Sequence, residues 1–224
     1  MTLLATFGLA CALLAGPALL FAARRRGGNT LGLLPRLSLW AIAAACLWIA
    51  SIAVPGGLLA SGLGAAGWRS IPTGLLAFAA VLSAWPLLHG LQRLTGGQPT
   101  TESERFKQLV ALPVGYRAFI VLTAGVTEEV LYRGYGIGVG ATLLGGMGTA
   151  LLLSLAIFTL AHWSWGVAHL ASVLWAGTVL SLLFVLTHDL LACIIAHTLV
   201  DAVGVLLAPV ALSRRAARGA SAAP

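Results

Sequence analysis

Seven apolar runs separated by short polar breaks leave this chain almost no material for a water-soluble surface. A spanning helix needs about 20 mostly apolar residues at about 1.5 Å of rise each. The stretches 3–23, 37–54, 71–91, 113–137, 139–160, 167–187 and 190–212 meet or approach that length. A half-inserted segment at 56–67 would make an eighth. Of the 224 residues, 59% are apolar and 8% charged, with a mean hydropathy of +0.99. A soluble domain carries roughly a quarter charged residues. The expected fold is all-α, a polytopic membrane helix bundle of about seven, or eight, transmembrane helices.

The net charge of +7 comes almost entirely from arginine, and its placement follows the ends of the runs. Arg24, Arg25 and Arg26 follow the first run, and Arg93, Arg105, Lys107 and Arg117 border the polar stretch 92–112. Arg214, Arg215 and Arg218 close the chain. Basic clusters at span ends obey the positive-inside rule. No basic face with base-contacting side chains exists, so nucleic acid is excluded as a partner. The first run has no basic residue before it and three after it, the reverse of a cleaved signal peptide. It reads as a retained anchor with the N-terminus outside and the C-terminus cytoplasmic. The Arg-, Ala-, Gly- and Leu-rich composition suggests a bacterial cytoplasmic membrane. Cys11, Cys46 and Cys193 lie inside apolar runs without metal-ligand spacing and read as small core residues.

The polar stretch divides one membrane domain into a scaffold, 1–112, a functional core, 113–212, and a basic tail, 213–224. The glycine-rich stretch 134–148 follows no strand, so it reads as close helix packing rather than a dinucleotide loop.

Ionisable side chains within a span cost at least about 2.5–3.5 kcal/mol each, which makes them functional candidates by default. Three spans of the core carry such residues at helical spacing. Glu129 and Arg133 are four apart and can pair on one face, while Glu128 sits about 100° around the helix, without that arginine, as a candidate proton acceptor. Phe158 and His162 share a face at the end of the fifth run, and His197 and Asp201 share one inside the last. His169 is placed beside this group at most, and Asp189 is positioned as a helix N-cap. Two histidines and one or two carboxylates from separate helices permit two kinds of hydrolysis. Glu128, His162, His197 and Asp201 could bind one divalent metal such as zinc. Alternatively, Glu128 and His162 activate a water without metal, while His197 and Asp201 stabilise an oxyanion. The metalloprotease helix motif His-Glu-x-x-His is absent, and neither Ser154 nor Ser181 has a base beside it.

The ordered trio Glu128-Glu129…Arg133, Phe158…His162 and His197…Asp201 resembles the CAAX-protease and bacteriocin-processing (CPBP, or Abi) family of intramembrane endopeptidases. The resemblance covers roughly 113–207. It implies peptide-bond hydrolysis in a membrane-associated peptide or protein within the lipid bilayer. Glu128 and His162 would activate water, His197 and Asp201 would hold the oxyanion, and Glu129, Arg133 and Phe158 would support them. The family's eukaryotic branch cleaves prenylated CAAX proteins, whereas bacterial members are linked to bacteriocin maturation, self-immunity or peptide signalling. Position 201 departs from the eukaryotic branch, which has Asn there. An ionised Asp201 would repel an oxyanion and would instead favour a metal or orient His197. Two other functions fit the same pattern: a non-catalytic immunity or scaffold protein of this fold, and a transporter with a Glu128–His162–His197 proton relay.

Overall fold

The computed structural model describes residues 2–25, 29–94 and 104–210. Arg26, most of the polar connection (95–103) and the tail with Arg214, Arg215 and Arg218 lie outside the described residues. The described residues form helices α1 (Thr2–Arg25), α2 (Leu33–Ala53), α3 (Ser70–Ser83), α4 (Trp85–Leu94), α5 (Glu104–Val110) and α6 (Val114–Glu128). From α6 the chain continues without interruption into a π-helical stretch, Glu129–Val139, and then α7 (Gly140–Leu143). Next come α8 (Met147–Ala161), α9 (Val167–Thr187) and α10 (Leu190–Ala202), the last extended by a π turn, Val203–Leu207. No strand occurs among the described residues. Among the described residues, six spans are long and apolar enough to cross a bilayer, or seven if α5 and the helix Val114–Leu143, bent by 117° to each other, are taken as one span. The protein is therefore an integral membrane helix bundle.

Its polarity is inverted relative to a soluble fold. Leu3, Phe7, Leu76, Leu152 and Leu186 are exposed, while Glu129, Arg133, Thr123, Thr127, Ser154 and His197 are buried. This is the arrangement lipid demands, because a polar side chain in hydrocarbon has to find its partners inside the protein.

Two boundaries differ from the hydropathy reading. The fourth span does not stop near residue 137; helix runs through to Leu143, and the break before α8 falls at Gly145 and Gly146. Their φ values of +79° and +145° are backbone conformations that side chains disfavour. The glycines at 134, 136, 138 and 140 instead stay helical and lie inside the bundle, where Leu190, Ser154, Phe184 and Ala150 crowd against them. The segment 56–67 is not a span: it forms two short 3₁₀ turns, Gly57–Leu59 and Leu63–Ala65.

The π stretch is the axis of the fold. All eleven of its residues are buried, and α1, α2, α8, α9 and α10 pack around it. Tyr135 donates its hydroxyl to the Ala5 carbonyl at 3.0 Å, tying this axis to α1. The neighbouring α10 packs on α3, α6 and α9. Its start is held by Asp189, as its N-cap position predicts: Oδ1 accepts from the Ala192 amide at 3.0 Å and Oδ2 from the Ser70 hydroxyl at 2.6 Å. Close approach of α6 to α10 requires glycine at 125, where a Cβ would stand 2.1 Å from the Thr198 hydroxyl.

One end of the bundle gathers most of the arginines. Arg24 lies over the Trp163 ring, Arg105 bonds the Ser164 hydroxyl and lies over Trp165, and Arg117 donates to the Val205 carbonyl. Tyr116 donates to the Leu31 carbonyl at the same end. The opposite end holds the turns around 54–69, 144–146 and 187–189, with the Leu190 amide bonded to the Gly62 carbonyl.

Replacing Asp189 by Ala removes the cap of α10 and the acceptor for Ser70. Thermal unfolding in detergent is expected to show a loss of about 1–2 kcal/mol, the cost of a lost N-cap. An unchanged midpoint would mean that α10 is held in place without it.

Candidate active site

The two adjacent glutamates end α6 and begin the π stretch, and they point into different surroundings. Glu129 is fully buried. Its Oε1 accepts from Arg133 Nη1 at 2.8 Å and from His197 Nδ1 at 2.6 Å. The spacing of four predicted the first of these contacts. The second joins α10 to the central helix and is invisible in the sequence. Arg133 is as buried as its partner, donates through Nη2 to the Gly177 carbonyl at 3.2 Å, and lies 4.4 Å over the Phe158 ring. Two charges in an apolar interior are tolerable only when paired and hydrogen-bonded in this way.

Glu128 has no such arrangement. Its Oε2 is sealed from solvent and has no hydrogen-bond partner, and the nearest basic atom is His162 Nε2 at 3.8 Å. His162 caps the end of α8. Its Nδ1 lies 2.8 Å from the Phe158 carbonyl. A carbonyl only accepts, so Nδ1 carries the proton, and in the neutral ring Nε2 keeps a lone pair directed at Glu128. A separation of 3.8 Å is too long for a direct hydrogen bond and suits a water held between the two acceptors.

The same logic fixes the second histidine. His197 Nδ1 donates to the Glu129 carboxylate, which leaves Nε2 facing Asp201 Oδ2 at 3.8 Å. Asp201 is the most accessible acidic residue of this cluster, with a third of its side chain exposed. Phe158 connects the two halves. Its ring stands 4.9 Å from the ring of His162, 6.3 Å from that of His197 and 5.2 Å from that of Tyr132.

All seven residues singled out by their spacing, Glu128, Glu129, Arg133, Phe158, His162, His197 and Asp201, thus lie in one cluster built by α6, the π stretch, α8 and α10. His169 stands behind it, its ring 6.3 Å from that of His162 and 5.7 Å from that of Trp165. Ser154 and Ser181 are buried; the Ser154 hydroxyl is committed to the Tyr132 carbonyl at 2.7 Å. Among the described residues, no three His, Cys, Asp or Glu side chains gather closely enough to hold a metal ion. Glu128 faces His162 and His197 faces Asp201, each pair 3.8 Å apart.

Arg36 was not found by the sequence reading. A span beginning at residue 37 makes it a flanking loop charge, but α2 begins at Leu33 and Arg36 lies in its first turn. Its charge acts on Glu128 and Asp201. An arginine directly ahead of an apolar run has no signature that separates it from an ordinary border charge.

Residues 110–203 match the family model of the Rce1-like, type II CAAX prenyl endopeptidases. All three motifs fall within this stretch, and the match bears out the resemblance to the CAAX-protease family. No curated protein and no solved structure matches the chain.

The geometry separates a structural glutamate from a spare one. Glu129→Gln leaves Arg133 buried without a counter-charge and should destabilise the detergent-solubilised protein by about 3–5 kcal/mol. Glu128→Gln removes no hydrogen bond and should leave the unfolding midpoint unchanged. Equal destabilisation by both substitutions would contradict the assignment.

Proposed function

We propose that this chain, matched over 110–203 to CAAX prenyl endopeptidases, is an intramembrane endopeptidase that hydrolyses a peptide bond in a membrane-associated peptide or protein with a water activated by Glu128 and His162. The observation that carries the reading is the pair of facing acceptors, Glu128 Oε2 and His162 Nε2, 3.8 Å apart. A buried carboxylate oxygen without a partner is expensive unless it has a task.

A water between them gives one hydrogen to each acceptor and keeps a lone pair for the scissile carbonyl. As its oxygen bonds to the carbonyl carbon, the carbonyl π pair moves onto the substrate oxygen and one water proton passes to Glu128. On collapse the C=O bond re-forms, the C–N bond breaks, and that proton goes to the departing amine. The products are a carboxylic acid and an amine, and no metal takes part. His197, held through Nδ1 by Glu129, presents Nε2 toward the oxyanion and donates to it when the ring carries both protons. Arg133 and Phe158 keep Glu129 and the two imidazoles in place.

The charged end of the bundle, with Arg24, Arg36, Arg105 and Arg117, supports a cytoplasmic mouth for this site and an external N-terminus. An apolar cleft of about 310 Å³ between α1 and α8, lined by Pro17, Leu20, Ile157 and Leu160, ends at Arg24 and Trp163.

The test is cleavage of membrane-tethered peptides, a prenylated CAAX peptide among them, by the full-length protein in proteoliposomes, with products identified by mass spectrometry. Glu128→Gln and His197→Ala are expected to lower the rate by about 10²–10⁴-fold, the usual worth of general acid–base groups, while insertion persists. Activity should survive removal of zinc to below the protein concentration; loss on chelation, restored by zinc, would replace the metal-free mechanism. Full activity of both variants would sink the protease reading in favour of a binding or scaffold role.

A further inference from the structure

Arg36 lies outside the matched stretch and outside all three motifs. It is half-buried in the first turn of α2, and its Nε is sealed from solvent without a partner. Among the described residues its guanidinium makes no hydrogen bond, and no carboxylate lies within ion-pair distance of it. A guanidinium whose Nε is desolvated without a partner or counter-ion is held at a cost.

Its position says which function. One turn further along α2, the Trp40 indole donates to the Thr123 hydroxyl of α6 at 3.0 Å. That contact fixes this face of α2 against the helix that carries Glu128. Leu31 and Trp40, to either side of Arg36, bond Tyr116 and Thr123 of α6, while Arg117 and Gly125 of α6 meet Val205 and Thr198. Arg36 and Asp201 therefore fall at the same level of α6, and the charge of Arg36 bears on Glu128, Tyr116 and Asp201. The neighbouring cations are already engaged: Arg105 with Ser164 and Trp165, Arg24 with Trp163. Asp201 poses the problem that a free guanidinium solves. Its carboxylate stands on the same side as His197 Nε2, at 3.8 Å, where negative charge builds on the substrate oxygen during attack. An anion there opposes the oxyanion unless a cation faces both.

We propose that Arg36 is a catalytic residue of this chain, its guanidinium donating to the substrate carbonyl oxygen as it becomes an oxyanion and offsetting the charge of Asp201. The assignment rests on the endopeptidase reading above. Arg36 keeps all its protons throughout; only the electron pair moves, onto the oxygen when the water bonds to the carbonyl carbon and back when the C–N bond breaks.

The experiment measures kcat and KM in proteoliposomes with a fluorescence-quenched prenylated CAAX peptide, for the wild type, Arg36→Gln, Arg36→Lys, Asp201→Asn and the Arg36→Gln/Asp201→Asn double variant. Arg36→Gln is expected to lower kcat by about 10²–10³-fold, as loss of an oxyanion donor does, with KM nearly unchanged. Arg36→Lys should recover part of that loss and shows that the position tolerates substitution. In the Asp201→Asn background the same Arg36→Gln change should cost about tenfold less, the non-additivity expected of two groups acting on one charge. Wild-type kcat in Arg36→Gln, a loss confined to KM, or an equal loss in both backgrounds would each overturn the inference. If Glu128→Gln is inactive while Arg36→Gln is fully active, the protease reading stands and this one falls; a wild type that leaves the peptide uncut removes both.

Discussion

The arrangement depends on a single carboxylate oxygen. Glu129 Oε1 receives both the Arg133 guanidinium and the His197 imidazole inside an apolar bundle. Arg133 in turn reaches the α9 backbone at Gly177 and lies over Phe158 of α8. One charged centre therefore ties the central helix to three others. Where no water competes, each of these bonds is electrostatically stronger than its surface counterpart, and each is correspondingly costly to leave unmade. The packing of α8, α9 and α10 around the π stretch is thereby coupled to the orientation of both imidazoles.

Placing two glutamates side by side at the entrance to a π-helical stretch gives them opposite fates. Glu129 is neutralised and immobilised by its two donors, whereas Glu128 is turned aside toward His162 and left with an unsatisfied oxygen. Wider winding is found repeatedly at functional sites. Here it begins at the residue where the two side chains have to part, and its closely packed glycines let neighbouring helices approach from every side.

Much of this was legible in the sequence, for physical reasons that differ by residue. Spacing of four brings Glu129 to Arg133, Phe158 to His162 and His197 toward Asp201, because that spacing is a property of the helix alone. Asp189 could be read as a cap because capping is equally local. The Glu129–His197 bond spans 68 positions and depends on how α6 meets α10, which Gly125 and Thr198 decide by contact rather than by pattern. Arg36 escaped notice because hydropathy places a span boundary only to within a turn, and one turn separates a loop charge from a buried one. The break at Gly145–Gly146 was misplaced for a related reason: glycine marks both tight packing and tight turns, and only the backbone conformation tells them apart.

His162 caps α8, and its ring bonds the carbonyl of Phe158 one turn back, a group that the end of a helix would otherwise leave unsatisfied. That bond also selects which nitrogen of the ring stays bare. The folding of α8's last turn and the chemical identity of the imidazole are consequently one variable. If the terminus frays, the tautomer is no longer fixed and the lone pair is no longer held at Nε2, although every atom of the side chain remains. The Trp163–Trp165 turn, which follows His162 directly, is thereby tied to which ring nitrogen carries the proton.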